Sequence, residues 1–324
     1  MIAGLAPGLA PGLALVLAPG CTVPQDTRVL TPAGLTRLSQ VHSNLLAVFF
    51  ALLSALTIAW GTVVRHRIAE SATADGSLAG DPLWAAVRRP LWWAGTSTAL
   101  LGYGLQILAL GFGTLLIVQP ILVLSLMFTL PLSAHYDGRR MNRSEIFWAG
   151  LLTVAVAVLV LLGRPSAGIV HPPLKSWLIS LAIGAVILGA LARLAKYLIR
   201  NERALILGIV TGGIFGYVAV LSKAFTDNTV HEGWLGLLSG WETYALIAGA
   251  ILGTITQQYS FNAGALKNSL PAMTITEPIV AFALGYAVLG EKFQVNSFAG
   301  WATMALALLA MVVATVVLSR RGVH

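Results

Sequence analysis

LWWAGTSTALLGYGLQILALGFGTLLIVQPILVLSLMFTLPLSAHY, residues 91–136, runs for 46 positions without an Asp, Glu, Lys or Arg. A helix that crosses the hydrocarbon core of a bilayer needs about 20 mostly apolar residues, so this run is too long for one span. Gly111-Phe112-Gly113 stands near its middle, and two glycines so close together mark where one helix stops and the next begins. The stretch reads as two membrane-spanning helices joined by a tight turn. It sets the fold class as an all-α integral membrane protein.

Outward from this stretch the pattern recurs. Of 324 residues, 57% are hydrophobic and 10% charged, whereas a soluble domain carries about 25% charged residues. A water-soluble fold of this length could not hide so much apolar surface, but lipid accepts it. Further spans are expected at 44–64, 146–163, 176–192, 204–222, 243–266, 268–290 and 293–319, giving about nine in all. The fifth, 176–192, is expected to continue as a basic face through Arg193, Lys196 and Arg200, whose long side chains can snorkel to water. Lys223 ends the sixth and reads either as another snorkelling lysine or as a ligand. Trp92, Trp93, Trp148, Trp177, Trp234, Trp241 and Trp301 mostly fall near span ends, as an interfacial aromatic belt does.

A net charge of +8, taken alone, suits a nucleic-acid partner. The basic residues, however, stand in short breaks between apolar runs, which is a topology signal, so no nucleic acid is expected. With the N-terminus outside, 14 of the 20 Lys and Arg lie on the inner side and 6 on the outer, which favours N-out and C-in. Cys21 is the single cysteine, so neither an internal disulfide nor a cysteine-rich metal site can form. Residues 1–20 are apolar but interrupted by Pro7, Pro11 and Pro19, with no basic residue ahead of them, a poor signal peptide and a poor helix. Residues 1–42 are therefore expected to be a flexible tail or the product of a start codon set too early. Ala18-Pro19-Gly20-Cys21 faintly suggests a lipoprotein cleavage site.

The second and seventh spans are alike at a shift of 151 residues. Leu101, Gly102, Gln106, Gly113, Leu115 and Pro120 match Leu252, Gly253, Gln257, Gly264, Leu266 and Pro271. Gln and Pro are uncommon in lipid, so those pairs carry the most weight. Gly138-Arg139-Arg140 then corresponds to Gly290-Glu291-Lys292, and Ala149-Gly150 to Ala299-Gly300. Five spans separate the copies, an odd number, so the two must face opposite ways. This gives a first repeat over 43–165 with four spans and a second over 174–319 with five. Inverted repeats are a feature of secondary transporters; an old duplication in a protein that does not transport is the alternative.

Polar groups within lipid are costly and commonly functional. Glu277 is the central candidate, in Thr274-Ile275-Thr276-Glu277-Pro278. Thr274, Glu277, Ala281 and Gly285 share one small-sided helical face, and the carbonyls freed by Pro271 and Pro278 can coordinate a cation or a substrate donor. Glu277 either couples transport to protons or binds a cationic group, with a protonated or amide-paired structural carboxyl as the alternative, and any metal ligand would be Glu277. Thr254, Gln258 and Asn262 lie four apart on one stripe, with Gln257 and Tyr259 beside it; they read as a substrate path or as amides that glue helices together. Gln106 and Gln119 are the partners from the first half. No phosphate-binding loop, paired metal ligands or nucleophile elbow occurs, so an enzyme and a cofactor are not expected.

Glu277-Pro278, Gly285, Leu289-Gly290-Glu291 and Gly300 resemble the end of an EamA-type repeat of the drug/metabolite transporter superfamily. The nine-span layout, the run Gln257-Gln258-Tyr259-Ser260-Phe261-Asn262-Ala263-Gly264-Ala265-Leu266, and Lys223 resemble the NIPA-type magnesium transporter branch. The likeness covers about residues 44–318. It implies a secondary transporter with inverted repeats of four and five helices, moving a small metabolite, drug or cation by ion- or proton-coupled alternating access. Magnesium keeps most of its waters and favours carboxylates, so one buried Glu among amides would hold it loosely. A non-transporting scaffold subunit of an envelope complex is the reading from a different class. Expected partners are the substrate and the lipid bilayer, and a homodimer is compatible. Abundant Arg, Ala and Gly suggest a GC-rich bacterium, hence the cytoplasmic membrane.

Overall fold

A computed structural model describes residues 43–61, 63, 90–136, 138, 140–166, 168–263 and 266–321. The expected tail at 1–42 and residues 64–89 lie outside the described residues. The elements are α1 (Ser43–Gly61), α2 (Pro90–Phe112), α3 (Leu115–Val123), α4 (Ser125–Tyr136), α5 (Arg143–Gly163), β1 (Pro165–Ser166), α6 (Leu174–Leu194), α7 (Arg200–Ser239), α8 (Trp241–Ala263), α9 (Leu266–Leu284), β2 (Lys292–Phe293) and α10 (Phe298–Arg321). A 3₁₀ turn, Ala195–Tyr197, follows α6, and a π-helical turn, Gly285–Leu289, ends α9. Among the described residues, seven stretches are long and apolar enough to cross a membrane: Ser43–Gly61, Leu115–His135, Arg143–Gly163, Leu174–Tyr197, Glu202–His231, Ser269–Leu289 and Phe298–Ser319. The chain is a multi-pass membrane protein built almost wholly of helices. The other two expected spans correspond to the helices α2 and α8, which are not among these seven.

The break in the long apolar run falls where the glycines put it. α2 stops at Phe112, Gly113 donates to the Ala109 carbonyl, and Thr114 is the N-cap of α3. A Cβ on Gly113 would lie 2.5 Å from the Ala47 Cβ, so α1 crosses the turn at a distance that only glycine permits. The stripe Ala47, Ala51, Ala55 and Ala59 is fully buried on the face of α1 that receives α2, and Ser54 donates to the Gly102 carbonyl. Small residues of this kind let backbones approach in lipid, where no hydrophobic force between helices exists.

The bounds themselves recur. α2 and α8 are both 23 residues long, beginning at Pro90 and Trp241 and ending at Phe112 and Ala263. α3 and α9 start at Leu115 and Leu266, and each carries a proline at its sixth position, Pro120 and Pro271. The common shift is the 151 residues seen in the sequence. Past each second helix a glycine takes a left-handed conformation, Gly138 at φ 64° and Gly290 at φ 70°.

α7 is the spine. Gly208, Gly212 and Gly216 stand four apart, and Cβ atoms there would lie 2.6 Å from the Ser269 carbonyl, 2.5 Å from the Met273 carbonyl and 2.7 Å from the Val280 Cβ. This stripe seats α9 directly on α7. Tyr217 donates to the Ser180 carbonyl and fills the hollow over Gly184 on α6.

Three expectations need correction. The sixth span does not end at Lys223: the helix runs on to Gly233, where the backbone turns at φ 66°. The polar residues after Ser222 are accommodated because Thr226 and Thr229 donate to the Ser222 and Phe225 carbonyls, and Lys223 pairs with Asp227. Arg200 does not extend the fifth span but opens α7, because the chain turns through 195–199. Trp177 is no belt residue: it is 1% exposed and packs edge-on against Trp241, ring centroids 5.4 Å apart.

Candidate functional site

Among the described residues, Glu145 is buried in the capping box that opens α5, and two further places in the bundle hold ionisable side chains away from solvent. The first is one end of the bundle, where α2 passes into α3. The first amides of α3 have no intrahelical acceptor. Ile117 and Val118 donate to the Thr114 carbonyl, and Leu115 and Leu116 donate to the two oxygens of Glu291, at 3.0 and 3.1 Å. Glu291 is 0% exposed. Its carboxylate therefore meets the positive end of the helix dipole, as well as two unsatisfied N–H groups.

The local chain is built to hold Glu291 there. The Gly285 carbonyl accepts from both Gly290 and Glu291, closing the π-helical turn on the left-handed Gly290. β1 and β2 pair antiparallel, Pro165 opposite Phe293, and Gln294 donates to the Gly163 carbonyl at the end of α5. Ile169 donates to the Leu289 carbonyl, and a Cβ on Gly168 would fall 2.2 Å from that same oxygen. Close backbone approach thus requires glycine at 168.

The last turn of α2 ends beside the opposite charge. The Lys223 ammonium donates to the Leu110 carbonyl at 3.0 Å and to Asp227 at 2.7 Å; the two side chains are 13% and 16% exposed. The C-terminal end of one helix thus faces a cation and the N-terminal end of the next an anion, each sign complementing its dipole. Burial pushes the Glu291 carboxyl up to about 7 from its ordinary 4.5; the Leu115 and Leu116 amides and the Lys223 ammonium pull it down, and Asp227 pushes it further up. Two buried polar atoms on α3 and its cap, Thr114 Oγ1 and Gln119 Nε2, have no hydrogen-bond partner among the described residues.

The second place is Glu277, midway along the span of α9. It is half-buried, with its backbone against Gly216 of α7, and no hydrogen bond joins its carboxyl to another described residue. Thr274 donates to the Leu270 carbonyl of its own helix. Pro278 is buried and lacks the donor that the Thr274 carbonyl would otherwise receive. Gln257 reaches from α8 to α9, its Nε2 3.4 Å from the Met273 sulfur.

The structure sorts the remaining candidates. Gln106 and Gln119 are buried in α2 and α3. Gln258 is half-buried, without a hydrogen bond to another described residue. Thr254 is exposed and bonds to its own helix, and Tyr259 is 58% exposed. Both lie on the outer surface of α8 instead of along an inward stripe, because a helix apolar on most sides does not announce which stripe faces in. The side chain of Asn262 lies outside the described residues. Lys223 is turned to the α2 terminus and does not snorkel. Glu291 and Asp227 were missed: a Glu beside Lys292 in a loop reads as a solvated charge. The available signal was its place directly after Gly290, where a helix C-cap glycine fixes the next residue's direction.

The sequence is 62% identical over 280 residues to the uncharacterized protein Cgl0250/cg0304 of Corynebacterium glutamicum, an alignment covering 86% of this chain and 96% of the relative. No family model matches the chain, and no solved structure matches it.

Proposed function

This chain belongs to the family of the corynebacterial protein Cgl0250/cg0304, and we propose that it is a secondary-active transporter of a small metabolite, drug or cation, driven by protons or another ion. The carrying observation is Glu277: a carboxyl at mid-depth of an apolar helix, half-buried, without a hydrogen bond to another described residue and one residue before a proline. A purely structural carboxyl at that depth would be expected to have a partner, because an unpaired polar group in lipid is costly. A group that must take up and release a proton or cargo has a reason to stand free.

The recurrence of helix bounds at one shift supports two related halves. Read as four spans plus five, the halves are inverted, with the N-terminus outside, as in the drug/metabolite transporter superfamily of EamA and NIPA type. Alternating access would rock them about Glu277, with Pro278, Thr274, Gln257 and Gln258 lining the path. The end of the bundle at Glu291 is tied shut by Leu115, Leu116 and the β1–β2 ribbon, so that end acts as a gate. The membrane is the cytoplasmic one.

The test is flux into liposomes holding purified protein, under an imposed proton gradient, with Mg²⁺, metabolites and cationic dyes as cargo. The proposal expects gradient-driven uptake of at least one class, abolished in Glu277→Gln with folding intact. Absence of gradient-driven flux for every class, in protein that remains folded, supports the scaffold reading instead.

A further inference from the structure

The start of α3 carries more donors than Glu291 satisfies. Leu115 and Leu116 offer two backbone amides, now held by the Glu291 carboxylate. Thr114, the N-cap residue, is 6% exposed, and its hydroxyl has no partner although it stands at the same helix end. Gln119 is 1% exposed and its Nε2 is likewise unpartnered. It lies about one helical turn past Leu115. The Lys223 ammonium ends the preceding helix. Two amides, a hydroxyl, an amide NH₂ and an ammonium are all donors. The anionic acceptors nearby are Glu291 and Asp227, and Asp227 is engaged by Lys223.

A cluster rich in donors at a helix N-terminus is complementary to an acceptor-rich anion. From this we infer that the start of α3 is a binding site for a carboxylate or phosphate group, which the protein's own Glu291 fills until an anionic ligand displaces it. Thr114 and Gln119 supply the hydrogen bonds that Glu291 leaves unused. The swap conserves charge when the displaced Glu291 takes up a proton, since one anion leaves the amides as another arrives. Besides Glu291, the charged groups at the site are Lys223 and Asp227 of α7; α2 and α3 carry none. The inference deepens the transport reading, on which it rests for its consequence: the cargo would carry an anionic group. The ligand's source is either a soluble anion or the headgroup of a lipid lying beside this end of the bundle.

Binding tests the site without requiring flux. Purified protein in zwitterionic nanodiscs is titrated with inorganic phosphate and with acetate, at constant ionic strength in chloride, and thermal unfolding is followed. In wild type the built-in carboxylate competes, so the apparent affinity is reduced by the fraction of sites it occupies. Removing it by Glu291→Ala should lower the half-saturating phosphate or acetate concentration by about tenfold or more. Adding Thr114→Val should reverse most of that gain, as should Gln119→Leu. If Glu291→Ala does not fold, Glu291→Gln, which keeps one acceptor, and Thr114→Val in the wild-type background are titrated in its place, and Thr114→Val should weaken anion binding. Stabilisation by phosphatidylglycerol in the disc, with none by soluble anions, assigns the same site to a lipid phosphate. A folded Glu291→Ala or Glu291→Gln protein that no anion stabilises, in either kind of disc, overturns the inference. Flux of a cation or neutral solute without any anion binding overturns it too and leaves the transporter standing, whereas anion binding without any flux supports the site and removes the transporter.

Discussion

Glu277 and Glu291 lie 14 residues apart in the chain, one inside α9 and the other just past the π-helical turn that ends it, and the fold treats them in opposite ways. Glu291 is fully buried and grips two amides from a helix 175 and 176 positions earlier in the chain. Glu277 is half-buried and has no hydrogen bond to another described residue. The difference is one of backbone supply. Mid-helix, every amide near Glu277 is already used by its own helix, and Pro278 removes one more. At the end of the bundle, the start of α3 leaves amides free and Gly290 points the next residue at them. Stability is therefore expected to depend on Glu291 and transport on Glu277.

The contrast breaks most visibly by mutation. Glu291→Ala orphans two buried amides and should cost about 3 kcal/mol of stability, whereas Glu277→Gln should change it by less than about 0.5 kcal/mol; chemical denaturation in mixed micelles checks both. Equal costs for the two would erase the distinction drawn here. Next in size is Lys223→Met, which leaves Asp227 as an uncompensated charge and the Leu110 carbonyl without its donor. It should cost about 2–3 kcal/mol, and the double variant Lys223→Met/Asp227→Leu should recover more than half of that, since apolar replacement of a buried pair is often neutral. A double variant as unstable as the single one would show that the helix terminus, not the unpaired carboxylate, needs the lysine.

A pH profile sharpens the Glu291 side. The folded state keeps the Glu291 proton up to about pH 7, while the unfolded chain releases it near 4.5. The unfolded state thus binds fewer protons between these values, so stability should fall as pH rises from about 4.5 to about 7 and level off above. Glu291→Gln should flatten that slope, as read by the thermal midpoint across the range. The smallest expected effects concern glycines. Gly168→Ala should destabilise by about 2 kcal/mol, because its Cβ would overlap the Leu289 carbonyl that braces Glu291. Gly150→Ala meets nothing within 4 Å and should be neutral or stabilise by about 0.5–1 kcal/mol.

These two carboxylates also show what a sequence can tell. Glu277 stood out as a candidate because it is one charge inside an apolar run, and the helix break at Gly113 was legible because two glycines interrupt a run too long for one span. The shift of 151 residues, read from Gln106, Pro120 and their counterparts, reappears in the helix bounds. Glu291 was not legible as a site residue: its partners are the backbone of Leu115 and Leu116, and amides leave no mark in a sequence. Lys223 and Asp227 read as the end of a span because their pairing across one helical turn shows only once the helix is known to continue. The stripe Thr254, Gln258 and Asn262 has the right spacing, but spacing gives a face, not its direction, and Thr254 turned out to lie on the outside.

The most direct measurement is proton-driven uptake in one liposome preparation series comparing wild type, Glu277→Gln and Glu291→Gln. The account predicts that Glu277→Gln loses gradient-driven uptake while remaining as stable as wild type, and that Glu291→Gln keeps its dependence on the gradient but changes rate and loses stability. Gradient-driven uptake that Glu277→Gln leaves at the wild-type rate would contradict it.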